Sequence, residues 1–569
     1  MPKLTINGQE LDYSPGQTIL QVANDAGIAI PQYCYHDGLS IVASCRICLA
    51  EVWAPNPRNN NKLESMGKLL PTCQTACTEG MVVYTDSPKS IANQKAVMEY
   101  LLINHPLDCP VCDQSGECFL QDYSYEYGRS VSRFEEAKVK QPKKDLGPHV
   151  YLYSDRCIMC SRCVRFTREV TGTAELMIEG RGNQEQIDVF PGLALSNELS
   201  ANVVDLCPVG ALLDKDFLFA QRVWFLRSTP SIDGITASGD NIRIDHNEGK
   251  VYRVKPRTNA EINKWWISDE IRYGWKFVHS DDRLRSPQHL RSGARADCDF
   301  PRAYNEMTAR LRDTVAAGKR ILLVVSPMLP CEDAFQLARM ALAIDPSAGF
   351  AVGPVPRQGE DKTFPGGYTV RAEKAPNARG VRRVLEALAA RRAPDNTRVA
   401  SYDELLSWLG GPGAAQLGGM IVVGGYPSEW VTPDFAAHAA ALQRAGGYVV
   451  AIDILPNRLT QSADLVLPGA TWTEKAGTFE NVSGLLQSFE RAIPVADGAR
   501  SESQIALDLL AELTTGSIAA APQENAAETR RMMSDPAAGG AAALRVFLTD
   551  VRHPAAEAPV ETDMQIVEL

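Results

Sequence analysis

The sequence lacks any apolar run of the roughly 18 to 20 residues that a membrane-spanning helix needs. Its start, MPKLTING, has no apolar core followed by small residues, so a cleaved export signal is not supported. Positive charge is in deficit, with 58 Lys and Arg against 69 Asp and Glu and a net charge of -11. Such a chain repels a phosphate backbone. These absences predict a protein on the cytoplasmic side that does not bind nucleic acid.

Motifs for nucleotide binding and nucleophilic catalysis are missing as well. The glycine-rich stretches at 418–420 and 424–426 lack a GxGxxG or Walker pattern, so a nucleotide site is unsupported. No Ser-His-Asp or Cys-His arrangement in the sequence supports a nucleophile. We therefore predict no catalytic residues of these classes.

Cysteine is the residue that carries chemistry, and its distribution is uneven. Twelve of the 14 cysteines lie at or before Cys207, and only Cys298 and Cys331 follow. In a reducing compartment, cysteines at short spacings indicate metal ligands before disulfides. The two late cysteines stand alone, and we expect them to be buried thiols. The N-terminal part of the chain is the predicted metal-binding region.

The most specific pattern combines a C-x2-C-x2-C run with a later Cys-Pro pair, namely Cys157, Cys160, Cys163 and Cys207-Pro208. Bacterial two-cluster ferredoxins use C-x2-C-x2-C-x3-C-P, whose last cysteine ligates the other cluster. Here Thr167 stands where that last cysteine would be, and the second run has lost its triplet. The pattern predicts one [4Fe-4S] cluster. Structural zinc, the alternative, usually takes two separated C-x2-C pairs.

A second set has the spacing His105-x3-Cys109-x2-Cys112-x5-Cys118. One imidazole and three thiolates suit a zinc ion as well as an iron-sulfur cluster. The spacing alone leaves both open.

The third constellation resembles the plant-type C-x4-C-x2-C…C arrangement of [2Fe-2S] ferredoxins, with a longer first gap. It consists of Cys34, Cys45 and Cys48, followed by Cys73 and Cys77. A [2Fe-2S] cluster held by cysteines takes four thiolates, so one of the last two cysteines is surplus.

Together these strings resemble the large iron-sulfur subunit of respiratory complex I, NADH-quinone oxidoreductase. The resemblance is carried by the string from Cys34 to Cys48 and by NHPLDCPVCDQSGEC (104–118), RCIMCSRCVRF (156–166) and CPVGAL (207–212). It continues through Gly180-Arg181-Gly182 and Trp266-Ile267-Ser268-Asp269, and more weakly to about residue 515.

The resemblance implies three clusters with twelve ligands. These are Cys34, Cys45, Cys48 and Cys73 for [2Fe-2S]; His105, Cys109, Cys112 and Cys118 for one [4Fe-4S]; and Cys157, Cys160, Cys163 and Cys207 for another. Cys73 is preferred to Cys77 because the family places its fourth ligand in a Pro-Thr-Cys string. A further cubane carried by some bacterial members is expected to be absent, since residues 208–297 contain no cysteine.

The expected fold class is α+β multidomain: an N-terminal β-grasp ferredoxin-like domain, small iron-sulfur modules and a C-terminal α/β domain. Apolar strands near 321–325, 420–423, 448–454 and 463–467, alternating with amphipathic helices, favour a parallel sheet. This half resembles molybdopterin oxidoreductases at 463–469 and 474–481, but only Cys331 is available as a metal ligand there. We therefore expect no molybdopterin.

Six domains are expected along the chain. They are a plant-type [2Fe-2S] domain (1–85), a His-ligated [4Fe-4S] module (86–135), a ferredoxin-like [4Fe-4S] module (136–220), a strand-rich module without a cluster (221–290), a degenerate molybdopterin oxidoreductase-like domain (291–515) and an extended tail (516–569).

By this resemblance the chain relays single electrons from a flavin subunit that oxidises NADH to a ferredoxin-like subunit near quinone. It would be an electron carrier without its own substrate site, in a hetero-oligomer peripheral to the cytoplasmic face of the inner membrane. An iron-sulfur subunit of an NAD-linked formate dehydrogenase or hydrogenase complex is the alternative. The catalytic subunits of such enzymes need further metal ligands after Cys207, where only Cys298 and Cys331 occur. A zinc-stapled scaffold is a third hypothesis, and it predicts a colourless protein.

Four arginines bracket the last cysteine run: Arg156, Arg162, Arg165 and Arg168. Positive charge near a cubane raises its reduction potential, because the reduced cluster carries extra negative charge. A solvated or partner-facing helix explains the same residues equally well.

Overall fold

The computed structural model describes residues 1–291, 293–392 and 399–554. The chain divides into two compact units. The first comprises residues 1–226 and 363–368, and the second comprises the rest.

The first unit begins with a mixed five-stranded sheet in the order β2-β1-β5-β3-β4. Its elements are β1 (Lys3–Ile6), β2 (Gln9–Asp12), α1 (Ile19–Asp25), β3 (Leu49–Asn56), β4 (Lys62–Pro71) and β5 (Met81–Tyr84). Strand β1 pairs antiparallel with β2 and parallel with β5. Apolar side chains of β1, β3, β5 and α1 share one core.

Local sequence explains where the first elements turn and begin. Asn7 and Gly8 have φ angles of 49° and 85°, which the tight turn between β1 and β2 requires. Thr18 and Gln21 form a capping box that starts α1.

The rest of the first unit is short elements joined by loops that carry the remaining predicted ligands. These elements are α2 (Pro88–Asn104), α3 (Phe119–Tyr127), β6 (Lys143–Asp145), β7 (Val150–Tyr153), α4 (Arg162–Arg165), β8 (Leu176–Glu179), β9 (Gln186–Val189), α5 (Asn202–Leu206) and β10 (Leu212–Asp214). Strands β10, β7 and β6 form one small sheet, and β8 and β9 form a hairpin. Helix α2 is capped by Ser87 and ends before Pro106, because the residue before a proline is disfavoured in helical conformation.

The second unit is built on a seven-stranded sheet, with smaller sheets beside it. Its elements are β11 (Arg227–Ile232), β12 (Asn241–Asn247), β13 (Lys250–Pro256), α6 (Asp269–Tyr273), β14 (Gln288–Arg291), β15 (Ala294–Asp297), α7 (Phe300–Ala316), β16 (Arg320–Val325), α8 (Cys331–Ile344), β17 (Gly349–Val352), β18 (Lys362–Thr363), β19 (Thr369–Val370), α9 (Ala378–Arg392), α10 (Tyr402–Leu409), β20 (Leu417–Val423), α11 (Pro433–Arg444), β21 (Tyr448–Asp453), α12 (Arg458–Ser462), β22 (Leu465–Pro468), β23 (Gly477–Glu480), β24 (Leu486–Phe489), α13 (Glu502–Thr515), α14 (Ala526–Ser534) and α15 (Val546–Thr549).

The large sheet has the order β15-β14-β22-β21-β20-β16-β17. Strands β17, β16, β20, β21 and β22 run parallel, and β14 joins antiparallel to β22. Helices cover both faces, since α7, α8, α9 and α13 share one core and α10 and α11 share another. The parallel α/β sheet predicted from the sequence is confirmed.

The sequence predicts an extended tail over 516–569, and for residues 516–554 the structure shows this to be wrong. Helices α14 and α15 pack on the second unit, with Met533, Leu544 and Phe547 buried in the main core. These apolar residues dock a segment whose composition is otherwise rich in Ala, Pro and Glu. Residues 555–569 of the predicted tail lie outside the described residues.

Among the described residues, no helix combines the length and the apolar character that crossing a bilayer requires.

Candidate metal centres

The first four predicted ligands are brought together by the β3–β4 hairpin and the loop before it. Leu49 pairs with Pro71 in the sheet register, so the residues flanking these strand ends, Cys48 and Cys73, become neighbours. Their Sγ atoms lie 3.6 Å apart. Cys34 and Cys45 form a second thiol pair, and Cys73 interacts electrostatically with both of them. The arrangement is two thiol pairs close enough to interact electrostatically.

Each of these pairs contains one thiol that gives up its proton easily. The hydrogen bond with Cys45 lowers the pKa of Cys34 to about 5, against the opposing effect of burial. In the same way the hydrogen bond with Cys73 lowers the pKa of Cys48 to about 6. The partner thiols, Cys45 and Cys73, have a raised pKa for the same reason. Since the thiolate is the form that binds metal, thiols that lose a proton so easily favour the binding of a cation.

Cys77 is not brought to this group. It shares the apolar core of the first sheet with Cys48 and Cys73, but burial alone, and no neighbouring thiol, raises its pKa to about 11. Its backbone N–H donates to the carbonyl of Gln17.

The second predicted set surrounds the ends of α2 and α3. His105 directly follows α2, and Cys118 caps the start of α3, where amides of the first turn face its sulfur. Cys112 lies between them and is close enough to interact electrostatically with both Cys109 and Cys118. Burial lowers the pKa of His105 to about 4, with Arg156 acting in the same direction. The imidazole is therefore neutral at physiological pH, which is the form that ligates metal.

Cys109 is the exposed member of the second set, whereas Cys112 and Cys118 are buried. Large apolar side chains are exposed on either side of Cys109 in the chain, at Leu107 and Val111. Three more are exposed in the turn at 219–225: Phe219, Trp224 and Phe225. Arg222 ties that turn to the cysteine loop by donating to the carbonyls of Cys112 and Pro110.

The last four predicted ligands, Cys157, Cys160, Cys163 and Cys207, line one small cavity whose other walls are mainly apolar. Burial raises the pKa of Cys160 to about 11 and also raises that of Cys163. Backbone amides at 209, 211 and 212 face the sulfur of Cys207. Soft thiols in an apolar, amide-lined cavity fit an iron-sulfur cluster.

Left-handed backbone conformations shape these cysteine loops. Ala43 and Arg46 have φ angles of 51° and 61°, and Met159 and Ser161 have φ angles of 52° and 60°. Residues other than glycine rarely adopt such angles, at a cost of roughly 1–3 kcal/mol each. These conformations direct backbone amides toward sulfur. The backbone nitrogen of Met159, for example, lies 3.4 Å from Cys157 Sγ and donates to it.

Within the described residues, no three His, Cys, Asp or Glu side chains converge as the ligands of one metal ion would. A tetrahedral zinc site with Zn–S bonds of about 2.3 Å holds its sulfurs about 3.8 Å apart. In a cubane each thiolate binds a different iron, so the four sulfurs lie farther apart.

Three of the four arginines near the last set are buried: Arg156, Arg162 and Arg165. A solvated or partner-facing helix does not account for them, and that interpretation survives only for the exposed Arg168. The sequence could not distinguish arginines buried beside a cluster site from arginines on a solvated helix, because the type of charge says nothing about burial.

In the second unit, the crevice at the carboxyl ends of β16 and β20 is the position where open α/β sheets bind ligands. Here the ring of Tyr426 lies near it, stacked on Trp430 at 4.8 Å, and its hydroxyl donates to the carbonyl of Pro354. The Trp430 indole N–H donates to the buried carboxylate of Asp453. The side chains of Tyr426 and Trp430 therefore lie close to this end of the sheet.

The two late cysteines stay apart from any such site. Cys331 is fully buried, and the amide group of Asn377 lies 3.4 Å from its sulfur. A Cβ placed on Gly380 would come within 2.5 Å of that sulfur, so the thiol is tightly enclosed. Cys298 is partly buried beside the main core. The expectation of buried thiols is confirmed for Cys331, and Cys298 is only partly buried.

Five family models match the chain in succession. They are a 2Fe-2S iron-sulfur cluster binding domain (2–88), the NADH-ubiquinone oxidoreductase-G iron-sulfur binding region (94–133), the NADH-quinone oxidoreductase subunit 3 ferredoxin-like domain (147–213), the NADH-ubiquinone oxidoreductase NDSU1/NuoG-like 4Fe-4S domain (226–276) and molybdopterin oxidoreductase (420–512). The chain is therefore a mixed α/β multidomain protein with a [2Fe-2S] domain at its start and a molybdopterin oxidoreductase domain toward its end.

Curated relatives carry matching names. The G subunit of NADH-quinone oxidoreductase from Rickettsia bellii is 39% identical over 312 residues, which is 55% of this chain and 44% of the relative. The mitochondrial 78 kDa subunit of NADH-ubiquinone oxidoreductase from Neurospora crassa is 38% identical over 356 residues, 61% of this chain and 46% of the relative. The 75 kDa subunit from Reclinomonas americana is 39% identical over 332 residues, 58% and 46% respectively.

The expected resemblance to the large iron-sulfur subunit of complex I is thus confirmed. The aligned region spans less than half the length of each of these relatives. Among solved structures, a chain of an NAD+-reducing [NiFe]-hydrogenase in the H2-reduced state is 28% identical, with a TM-score of 0.33, covering 39% of this chain and 91% of the hydrogenase chain.

Proposed function

We propose that this chain is an electron-relay subunit of an NADH-quinone oxidoreductase and that its three ligand sets hold one [2Fe-2S] and two [4Fe-4S] clusters. When bound, each cluster supplies a centre that takes up and releases one electron. The reaction belongs to the complex, and the chain contributes no catalytic residue of its own. The names of the curated relatives support this assignment.

One observation carries the proposal: the three ligand sets lie close together in the first unit. Cys118 of the second set interacts electrostatically with Cys207 of the third. Tyr33 interacts electrostatically both with Cys45 of the first set and with Cys118 of the second. Because electron tunnelling falls steeply with distance, closely spaced centres on one compact unit are what a relay requires.

The residues of this chain hold the thiolates and direct polar groups at them. Backbone N–H groups face several of the sulfurs, as described for Cys157, Cys118 and Cys207. An N–H aimed at sulfur stabilises negative charge, more so after reduction, and so raises the reduction potential. The amides around each set therefore help to determine how readily it is reduced.

The exposed Cys109 and the aromatic surface near it support an approach by a partner subunit at the second set. Trp224 and Phe225 are about half exposed there. Exposed aromatic groups of this size mark interaction surfaces. We propose that a redox partner, either the flavin subunit that oxidises NADH or the ferredoxin-like subunit, docks here, with the assembly peripheral to the cytoplasmic face of the inner membrane.

The domain limits given above are part of the proposal. The mixed sheet and α1 are the arrangement expected of a β-grasp domain over residues 1–85. For 221–290, the family name mentions a 4Fe-4S domain, but residues 208–297 contain no cysteine to hold one. We therefore propose two cubanes rather than three.

We also propose that the molybdopterin oxidoreductase-like domain holds no molybdopterin. The stacked rings of Tyr426 and Trp430 lie near the carboxyl end of β20, and the thiol of Cys331 is fully buried and tightly enclosed. The residues present do not fit the cofactor. This half is then a scaffold that has kept a fold without its chemistry.

The test is the metal and acid-labile sulfide content of the anaerobically purified full chain. We expect about ten iron and about ten sulfide per chain, from one [2Fe-2S] and two [4Fe-4S] clusters, without stoichiometric zinc or molybdenum. Zinc in place of four irons would make the His105 set a structural site and break the relay. Stoichiometric molybdenum would make the C-terminal half catalytic.

Deletion of the chain in its host tests the assignment to a complex. The expected result is loss of NADH-driven quinone reduction in membranes. Loss of formate-dependent or hydrogen-dependent NAD reduction, with quinone reduction intact, would replace this proposal with the alternative class.

A further inference from the structure

Two buried arginines connect the first and third ligand sets. Arg162 is 6% exposed and Arg165 is 8% exposed. The Arg162 guanidinium donates to the carbonyl of Tyr35, which follows Cys34 in the chain. It also donates, at 3.3 Å, to the carbonyl of Leu206, which precedes Cys207.

Arg165 makes the same connection through ligand residues themselves. Its guanidinium donates to the carbonyl of Cys34 in the first set and, at 3.4 Å, to the carbonyl of Cys160 in the third. A further bond goes to the carbonyl of Ser40, in the loop between Cys34 and Cys45. The two side chains therefore lie between both sets.

Neither arginine is neutralised by a carboxylate. Within the described residues, no salt bridge involves Arg162 or Arg165, and the buried Nε of Arg162 has no hydrogen-bond partner. Burying an uncompensated cation costs several kcal/mol. Arg162 lines the same small cavity as the four cysteines of the third set.

Arg156 provides the contrast. It is 2% exposed, but its guanidinium pairs with the carboxylate of Asp108 at 3.0 Å. It faces the second set, where it acts on His105 and Cys112. The guanidinium of Arg156, which is paired with a carboxylate, thus faces the second set, whereas the unpaired Arg162 and Arg165 lie between the first and third sets.

We propose that Arg162, assisted by Arg165, is a cation shared by the first and third clusters that raises the reduction potentials of both. This rests on the proposed function, since it requires clusters at both sets. The reduced form of each cluster carries one more negative charge than the oxidised form, so a fixed cation between two clusters favours the reduced form of each. Arg162 is a positioning residue in this role, because its hydrogen bonds go to carbonyls next to the ligands.

The experiment is an anaerobic redox titration of the full chain, with each cluster followed by its EPR signal and assigned from single-ligand variants. Arg162→Gln removes the charge and keeps hydrogen-bonding capacity, Arg162→Lys keeps the charge, and Arg156→Gln is the matched control. We expect Arg162→Gln to shift the reduction equilibria of the first and third clusters about tenfold toward the oxidised form, about 59 mV for one electron, with the second cluster unchanged. Arg162→Lys should stay near wild type, and Arg156→Gln should move the second cluster alone.

Unchanged potentials in an Arg162→Gln variant with full iron content would overturn the inference, and so would equal shifts of all three clusters. If Arg162→Gln loses iron, Arg165→Gln is titrated in its place with the same expectation. Loss of iron from both Gln variants would assign the arginines a structural role and would also overturn it. Absence of iron from wild-type chain would instead be a failure of the proposed function, so the two failures are distinguishable.

Discussion

The Sγ atoms of Cys48 and Cys73 lie 3.6 Å apart. Two thiolates on one tetrahedral ion, with bonds of about 2.3 Å, are separated by about 3.8 Å, so this pair can share one iron with little adjustment. Cys77, four residues after Cys73, lies in the same apolar core, but burial alone raises its pKa, whereas the pKa of Cys73 is raised mainly by its hydrogen bond with Cys48. The structure therefore distinguishes Cys73 from Cys77 as the candidate fourth ligand, which their spacing in the sequence does not.

Substituting each of these two cysteines should give different results. Cys73→Ser is expected to abolish the [2Fe-2S] EPR signal and to remove about two iron per chain. Cys77→Ala should keep both, because burial alone accounts for its raised pKa. EPR spectroscopy with iron analysis of both variants is the measurement. Retention of the signal in Cys73→Ser together with its loss in Cys77→Ala would reverse the assignment.

The second set should keep a cluster when its imidazole is replaced by a thiolate. His105→Cys supplies four cysteine ligands, and the additional negative charge should lower the reduction potential of that cluster. His105→Ala should lose iron from that set alone. Redox titration and iron content test this. Zinc bound by both the wild type and His105→Cys would show that the set is not an iron-sulfur site.

The docking of the C-terminal segment should depend on one buried ion pair. Arg530 Nη1 lies 2.8 Å from Glu332 Oε1, and both side chains are largely buried. Arg530→Ala leaves the Glu332 carboxylate buried and unpaired, so we expect a loss of about 3–5 kcal/mol. The measurements are the unfolding temperature and limited proteolysis after residue 516.

Arg552→Ala is the matched control for that variant. Arg552 pairs with Glu261, but both side chains are about half exposed, so its loss should cost no more than about 1 kcal/mol. Equal destabilisation by the two substitutions would contradict the argument from burial.

A second buried cluster predicts a pH dependence of stability. Lys475 lies between the carboxylates of Asp333, at 2.8 Å, and Glu502. Burial raises the pKa of Glu502 to about 7, with Lys475 opposing and Asp333 adding to the effect. In the unfolded chain a glutamate has a pKa of about 4.3, so the folded state binds the proton more tightly.

The stability from this proton is complete below the unfolded pKa and is lost as the pH rises through the folded one. We expect the wild type to lose up to about 4 kcal/mol from this group as the pH rises from about 4.3 to about 7. Glu502→Gln should remove that slope. Unfolding temperatures of the two proteins from pH 5.5 to 8.5 are the measurement, and parallel pH profiles would count against the raised pKa.

Local elements were predictable from the sequence where local chemistry decides them. Asn7-Gly8 in the first turn, Thr18 at the start of α1 and the apolar strands of the parallel sheet all have signatures within a few residues. Strands β3 and β4 were not predicted: β3 alternates between half-buried and buried residues only over its first four positions, and β4 consists of exposed and half-buried residues.

Several of the cysteine groupings that the structure shows were also predictable, since cysteine spacing is mostly local. What surrounds them was not. Arg165 reaches a carbonyl 131 positions away in the chain, and Arg530 pairs with a residue 198 positions away. Neither contact leaves a pattern in the sequence, because both depend on which segments the tertiary fold brings together.

The exposure of Cys109 has a consequence for how durable the three sites are in air. Of the eleven cysteines among the predicted ligands, Cys109 is the exposed one, and the others are buried or half-buried. Dioxygen and peroxides reach an accessible sulfur first. Oxidative damage should therefore begin at the second site, and the same exposure that we propose serves a partner subunit makes this site the most vulnerable one under aerobic stress.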